Sequence, residues 1–330
     1  MKLNKLISIF LILIFSVNAQ DNKESFKFGV GIQNPYTIFK NPTNGFFYIG
    51  NVKGAPHLND NNSDIAAIWF KDFKAYRVKA KVTPPISSEY PKTKLSSPTG
   101  MVILDGHLII ADVDSLAIFK QEEKKRPEQI AHFKVKGAEK LEGIVVVDGD
   151  IYLSDSGIDS ILKITDFFDK EKRDVSRVAK IKSPKGMIYD KDNNSLLIVS
   201  SKINKLYELS LVDVNKSKTF TIGPKSSEGG NGFFDLCMGN QRELYLTNYM
   251  LGKVFIYFRN QDRPKAITKP MKYAVPFIKK ANNPTGIIYD SEFNRIIFAE
   301  YFSNTIQFHK GLKPQLTMEE IKKKIDLNID

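Results

Sequence analysis

Short apolar runs separated by polar turns recur along the chain in one fixed order. Ser97-Pro-Thr-Gly100 opens a run that ends at Leu104, the pair Asp105-Gly106 makes a turn, and a second run ends on Asp112. The same order returns from Leu141 to Asp155, from Ser183 to Ser200 and from Asn283 to Glu300. Apolar runs this short, bounded by turn residues, read as strands rather than helices. The glycines at 100, 143, 186 and 286 are spaced by 43, 43 and 100 residues, so a further copy is expected inside the last interval. Gly232 to Asn248 supplies it, with Asp235 in the glycine's place, and Asn34 to Asn51 is a sixth, equally degenerate copy.

A period of roughly 40 to 50 residues built from short strands is the signature of a β-propeller with one four-stranded blade per repeat. The fold expected is therefore all-β, a six-bladed propeller. Third and fourth strands fall between the copies: Ser115 to Lys120 with Gln129 to Val135, Ser160 to Thr165 with Val175 to Ile181, Lys205 to Leu209 with Lys218 to Ile222, and Lys253 to Phe258 with Met271 to Pro276. The last blade is one strand short. Phe26-Lys-Phe-Gly-Val30 alternates like a half-buried strand, so residues about 24–30 are expected to complete that blade and close the ring. Thr317-Met-Glu-Glu320 reads as a capping box opening a short C-terminal helix over about 318–326. Gly54 to Asp64 is a loop-like insertion after the second strand of blade 1, a candidate lid or binding loop.

Ahead of the repeats, Lys2 and Lys5 precede an apolar run from Leu6 to Phe15, and Val17-Asn-Ala19 offers a small-residue cleavage site. Residues 1–19 are expected to be a signal peptide and 20–330 a single propeller domain, exported to a periplasm or secreted. No later stretch approaches the roughly 20 apolar residues of a membrane helix, so the protein is not expected to span a membrane. The net charge of +12 becomes +10 without Lys2 and Lys5, and the lysines are interspersed with acids. This describes a solvated basic surface, and with export it argues against nucleic acid as partner. Cys237 is the single cysteine, so no intrachain disulfide is possible, and its place between Leu236 and Met238 marks it as a buried thiol.

The repeated phrase resembles two propeller groups, the NHL-repeat proteins and the family of senescence marker protein, gluconolactonase and luciferin-regenerating enzyme, over residues 25–310. For the lactonase members the resemblance implies a calcium or zinc ion at one tunnel mouth, held by acidic and Asn side chains just before the repeated glycine. Here those six positions are Tyr36, Thr99, Glu142, Lys185, Phe234 and Thr285, with Asp235 one place later. Hard cations want several oxygen ligands, and among these only Glu142, with Asp235 if the degenerate copy shifts by one residue, answers that need. A neighbouring-blade ion pair between Glu142 and Lys185 is the competing reading. The polar residues closing the second strands, Asn51, Asp112, Asp155, Ser200, Asn248 and Glu300, recur in every blade and are expected to bind the turn that follows.

His57, His107, His132 and His309 share no metal-ligand spacing, and Gly-x-Ser-x-Gly, Walker and His-Glu-x-x-His motifs are absent. Trp69, Phe70 and Phe73 offer either a stacking surface or packing. Two functions stay open. One is a monomeric binding module, without a firmly implied cofactor, that takes a small molecule, glycan or peptide at the mouth formed by Tyr36, Thr99, Glu142, Lys185, Phe234, Asp235 and Thr285. The other is a divalent-metal-dependent lactonase with Glu142 and Asp235 as ligands.

Overall fold

The computed structural model describes residues 25–29, 31–70, 80–82, 86–87, 95–121, 127–223, 232–262, 271 and 273–312. The expected signal peptide, the expected C-terminal helix and Phe73 lie outside the described residues, and of Trp69 and Phe70 only the backbone, in a strand, is described.

Six antiparallel sheets stand in a ring. In blade 2 the order runs from the inner strand Pro98–Leu104 through His107–Asp112 and Ser115–Lys120 to the outer strand Glu128–Lys134. Blades 3, 4 and 5 repeat this order with inner strands Leu141–Val147, Pro184–Asp190 and Asp235–Met238. Blade 1 starts at Pro35–Lys40 and carries a fifth short strand, Ile86–Ser87, paired to its third. Blade 6 is built from Pro284–Asp290, Arg295–Glu300 and Thr305–Lys310, and its outer edge is completed by Ser25–Phe28. The N-terminal strand thus closes the ring and covers the edge of Thr305–Lys310. The outer strand of blade 5 is Val275–Ile278, later than the Met271 to Pro276 that the sequence pattern indicated, and its pairing with Val254–Ile256 carries a register shift.

The blades are held together by apolar layers between neighbouring sheets. Leu104, Ile109 and Leu116 of blade 2 pack on Leu141, Ile151 and Leu153 of blade 3, and equivalent layers join the other pairs. Burying these branched side chains, each worth about 1.5–3 kcal/mol, supplies the main drive toward ring closure.

The repeated glycine is explained by this closeness. A Cβ on Gly143 would sit 2.9 Å from the Lys185 carbonyl oxygen of the next blade, and one on Gly286 would sit 2.7 Å from the Cα of Thr37. Only a residue without a side chain admits a neighbouring backbone at that distance.

Candidate functional site

Five of the six inner strands begin with a register irregularity, the exception being that of blade 5. Pro98 pairs with Asp112 but Gly100 with Ala111, leaving Thr99 as an extra residue, and Tyr36 is left over in the same way between Pro35 and Thr37. Blades 3, 4 and 6 show the same shift at Glu142-Gly143, Lys185-Gly186 and Thr285-Gly286. Such bulges re-aim a side chain away from the plane of its sheet. They make the position before the glycine the one that differs from blade to blade.

At the entrance of the tunnel three of these residues meet. The Lys185 ammonium donates to Glu142 Oε1 and to the Tyr36 hydroxyl, both at 2.6 Å, and the Tyr36 hydroxyl donates to Glu142 Oε2 at 3.0 Å. Ser156 donates to Glu142 Oε1 at 2.7 Å, and His57 Nε2 lies 3.1 Å from the same oxygen. The side chains of Lys185 and Glu142 are only 12% and 2% exposed. Burial alone would raise the Glu142 carboxyl, but the Lys185 charge and the His57 contact outweigh it and hold it at about 2. Burial, reinforced by the Glu142 charge, pushes the Tyr36 phenol well above its ordinary range. Lys185 also lies over the Phe234 ring at 4.7 Å and the Tyr36 ring at 5.2 Å, a cation–π seat that fixes its stem. The neighbouring-blade ion pair is therefore present, and it is the centre of a five-residue network.

The other expected mouth residues take different roles. Thr99 and Thr285 are buried hydroxyls that latch one blade to the next. Thr99 donates to Leu141 O at 2.8 Å and Thr285 to Pro35 O at 2.8 Å. Ser154 and Thr247 do the same toward Lys185 O and Thr285 O. Thr285 lines neither the tunnel nor the entrance pocket, because its one donor and its side chain are committed to the seam. Asp235 does not swing to the entrance. It lines the tunnel below it, with Oδ1 accepting from its neighbour Leu236 N at 2.9 Å and Oδ2 from Ile287 N of blade 6 at 2.9 Å. Desolvation pushes its carboxyl up to about 7 against those amide contacts. A divalent cation does not fit this donor set. Both Glu142 oxygens already face cationic or hydroxyl donors, Asp235 is tied to backbone amides, and no group of three His, Cys, Asp or Glu stands ready for a metal among the described residues.

Two cavities result, and they share Tyr36, Lys185 and Phe234. The tunnel, about 340 Å³, is walled by the inner strands, and the entrance pocket, about 520 Å³, by Tyr36, His57, Lys185, Phe234, Tyr249 and Tyr301 with a few neighbours. The aromatic rings form a chain: Tyr36 to Phe234 at 4.8 Å, Phe234 to Tyr249 at 6.1 Å, Tyr249 to Tyr301 at 6.2 Å and Tyr301 to Phe302 at 5.1 Å. Met250 and Phe302 stand at the rim 64% and 61% exposed. Tyr249 and Tyr301 follow the repeated polar residues Asn248 and Glu300 directly, as Ser156 follows Asp155 and Ser201 follows Ser200. This column one place beyond the repeated polar position is the signal in the sequence that marks the wall. The polar residues themselves do more than hold the following turn. Asp155 accepts from Gly157 N and Ile158 N, as expected, and also from Glu139 N and Lys140 N, and so ties the chain entering the blade to the turn leaving it.

The Gly54–Asp64 insertion reaches this pocket. Tyr301 donates to Gly54 O at 2.9 Å, His57 N donates to Ser97 Oγ at 3.1 Å and Asn61 N to Ser96 Oγ at 2.9 Å. These anchors bring His57 onto Glu142.

No family model matches the chain, and no curated protein matches it. Among solved structures the fold is similar to virginiamycin B lyase from Staphylococcus aureus, solved as a catalytically inactive variant with quinupristin, at 14% identity over 87% of this chain and 99% of that one, TM-score 0.54. It is also similar to putative 6-phosphogluconolactonases from Bacteroides fragilis (14% identity, 87% and 84% covered, TM-score 0.58) and Bacteroides uniformis (14%, 84% and 81%, TM-score 0.59). At these identities the likeness carries the fold, a six-bladed β-propeller in this chain, and no individual residue.

Proposed function

We propose that this chain is an exported, monomeric propeller that binds a small molecule, glycan or peptide in the aromatic pocket at its tunnel entrance, without nucleic acid as partner. The observation that carries this reading is the engagement of Glu142. A carboxylate held at about 2 by Lys185, His57, Tyr36 and Ser156 is neither a proton acceptor near neutral pH nor an open metal ligand, so it braces the pocket floor. Aromatic walls around a few fixed polar groups are the usual make-up of a ligand pocket. Kinship with the NHL-repeat and gluconolactonase-like groups belongs to the same proposal and rests on the repeated phrase. The alternative, a metal-dependent lactone hydrolase, draws support from the lactonase-named neighbours, but needs Glu142 freed from its partners and Asp235 brought to it.

Thermal unfolding with calcium, zinc, manganese and a chelator tests the choice. The melting temperature is expected to stay unmoved by each, while a library of small molecules, glycans and peptides yields stabilising ligands for the wild type but not for Phe234→Ser. A large metal-dependent stabilisation abolished by Glu142→Gln would overturn the binding reading.

A further inference from the structure

Of the buried side-chain nitrogens and oxygens without a partner, one belongs to a residue of the entrance pocket among the described residues: Nδ1 of His57. In the neutral ring Nε2, which faces the ionised Glu142 at 3.1 Å, is the nitrogen that carries the proton. Nδ1 is therefore left as an acceptor, and an acceptor shut away from water without a donor costs stability unless a ligand supplies one. The backbone points the same way. His57 is held at φ 66, the left-handed region that non-glycine residues rarely adopt, by the anchors that Ser97, Ser96 and Tyr301 give its loop. These three contacts fix where the ring stands.

The pocket around this acceptor limits what can fill it. Lys185 and Glu142 neutralise each other, so no surplus charge calls for an ion. The hydroxyls of Tyr36 and Tyr301 already donate to Glu142 and Gly54 O. The walls beyond them are the rings of Phe234, Tyr249 and Phe302. A sugar would bring several hydroxyls to walls that offer them few partners, and each unmatched hydroxyl would weaken binding. A flat uncharged ring with one hydroxyl brings a single polar group to these walls.

We propose that the His57 loop completes a site for a neutral hydroxylated aromatic ring, stacked among Phe234, Tyr249 and Phe302 with its O–H donated to His57 Nδ1. This rests on the binding reading above and names its ligand class. The probes are 2-naphthol and its methyl ether, 2-methoxynaphthalene, equal in ring but differing in the donor, with glucose as the sugar comparison, each titrated into the full chain by calorimetry. The naphthol is expected to bind at least tenfold more tightly than the ether, and His57→Ala to bring the ratio of the two affinities close to one. Nitrogen NMR of His57 gives a second reading on the wild type, where Nδ1 should shift with naphthol and not with the ether. Equal affinity for the two naphthalenes, or binding of glucose in their place, overturns this inference and leaves pocket binding standing. If none of the three binds and Phe234→Ser abolishes no ligand found in the wider library, the binding reading falls as well.

Discussion

Two buried ion networks share the inner strand of blade 4 and teach different things. Lys185 near its start belongs to the entrance network, while Asp190, five residues and roughly 17 Å further along, belongs to a second one. There Arg259, fully buried, donates to Asp262 at 2.5 Å, Glu208 at 3.0 Å and Asp190 at 2.6 Å, and Arg242 bridges Asp190, Asp192 and Asp262 across blades 4 and 5. In both networks a carboxyl that burial would raise is instead held at about 2, Glu142 by its Lys185 and His57 contacts and Asp190 by bonds from Asn193, Arg242 and Arg259. A perturbed carboxylate therefore does not separate a working site from a seam. The separation comes from what surrounds it. No residue of the Arg259 network lines either cavity, whereas the entrance network opens on a pocket and includes an orphaned nitrogen, Nδ1 of His57.

The comparison predicts its largest effect at Arg259. Arg259→Met leaves three carboxylates facing one another without their central cation and is expected to cost about 3–5 kcal/mol, read from the urea midpoint. Lys185→Met leaves Glu142 with His57, Tyr36 and Ser156 and should cost about 1–3 kcal/mol. If the Lys185 loss equals or exceeds the Arg259 loss, the entrance network is as structural as the seam and the distinction collapses.

Acid and base act on the two networks in ways that sharpen the contrast. Glu142 and Asp190 are depressed in the folded state, so the stability they contribute is present above their unfolded values of 4.5 and 3.8 and is lost as the pH falls toward about 2. Asp235 is raised from 3.8 to about 7, so the folded state prefers its protonated form, and its contribution is present below pH 4 and lost as the pH rises to about 7. Urea midpoints measured in pH steps should therefore climb from pH 2 to about 4.5 and then decline toward 7. Asp235→Asn, whatever its constant offset, should flatten that decline; an unchanged slope would mean the tunnel carboxyl is not desolvated.

The smallest change in stability is expected at the rim. Phe302→Ser removes an exposed ring and should shift unfolding by within about 0.5 kcal/mol while weakening ligand binding measurably. A rim substitution that unfolds the protein, or leaves every ligand's affinity intact, would move Phe302 from the binding wall to ordinary surface.

How far the site could be read from the sequence follows from the same contrast. The column before the glycine singled out Tyr36, Glu142, Lys185 and Phe234, and these do converge: a bulge at one place in blades 1, 3 and 4 gives the first three a common direction, and Phe234 reaches them from the start of the unbulged inner strand of blade 5. Thr99 and Thr285 stand in the same column yet serve as latches, since their short hydroxyls meet the next blade's carbonyl before they reach the opening. His57 carried no spacing signal, because its partner Glu142 lies two blades away along the chain and comes near only when the ring closes.

Strand order, blade number and the strand that closes the ring were set by local periodicity, which depends on side chains alternating between faces over a few residues and needs no distant partner. Which polar residues serve as latch, floor or acceptor was decided only in the closed ring. Hydrogen bonds and ion pairs act over about 3 Å, so their partners are fixed by how blades, bulges and the first-blade insertion meet in space.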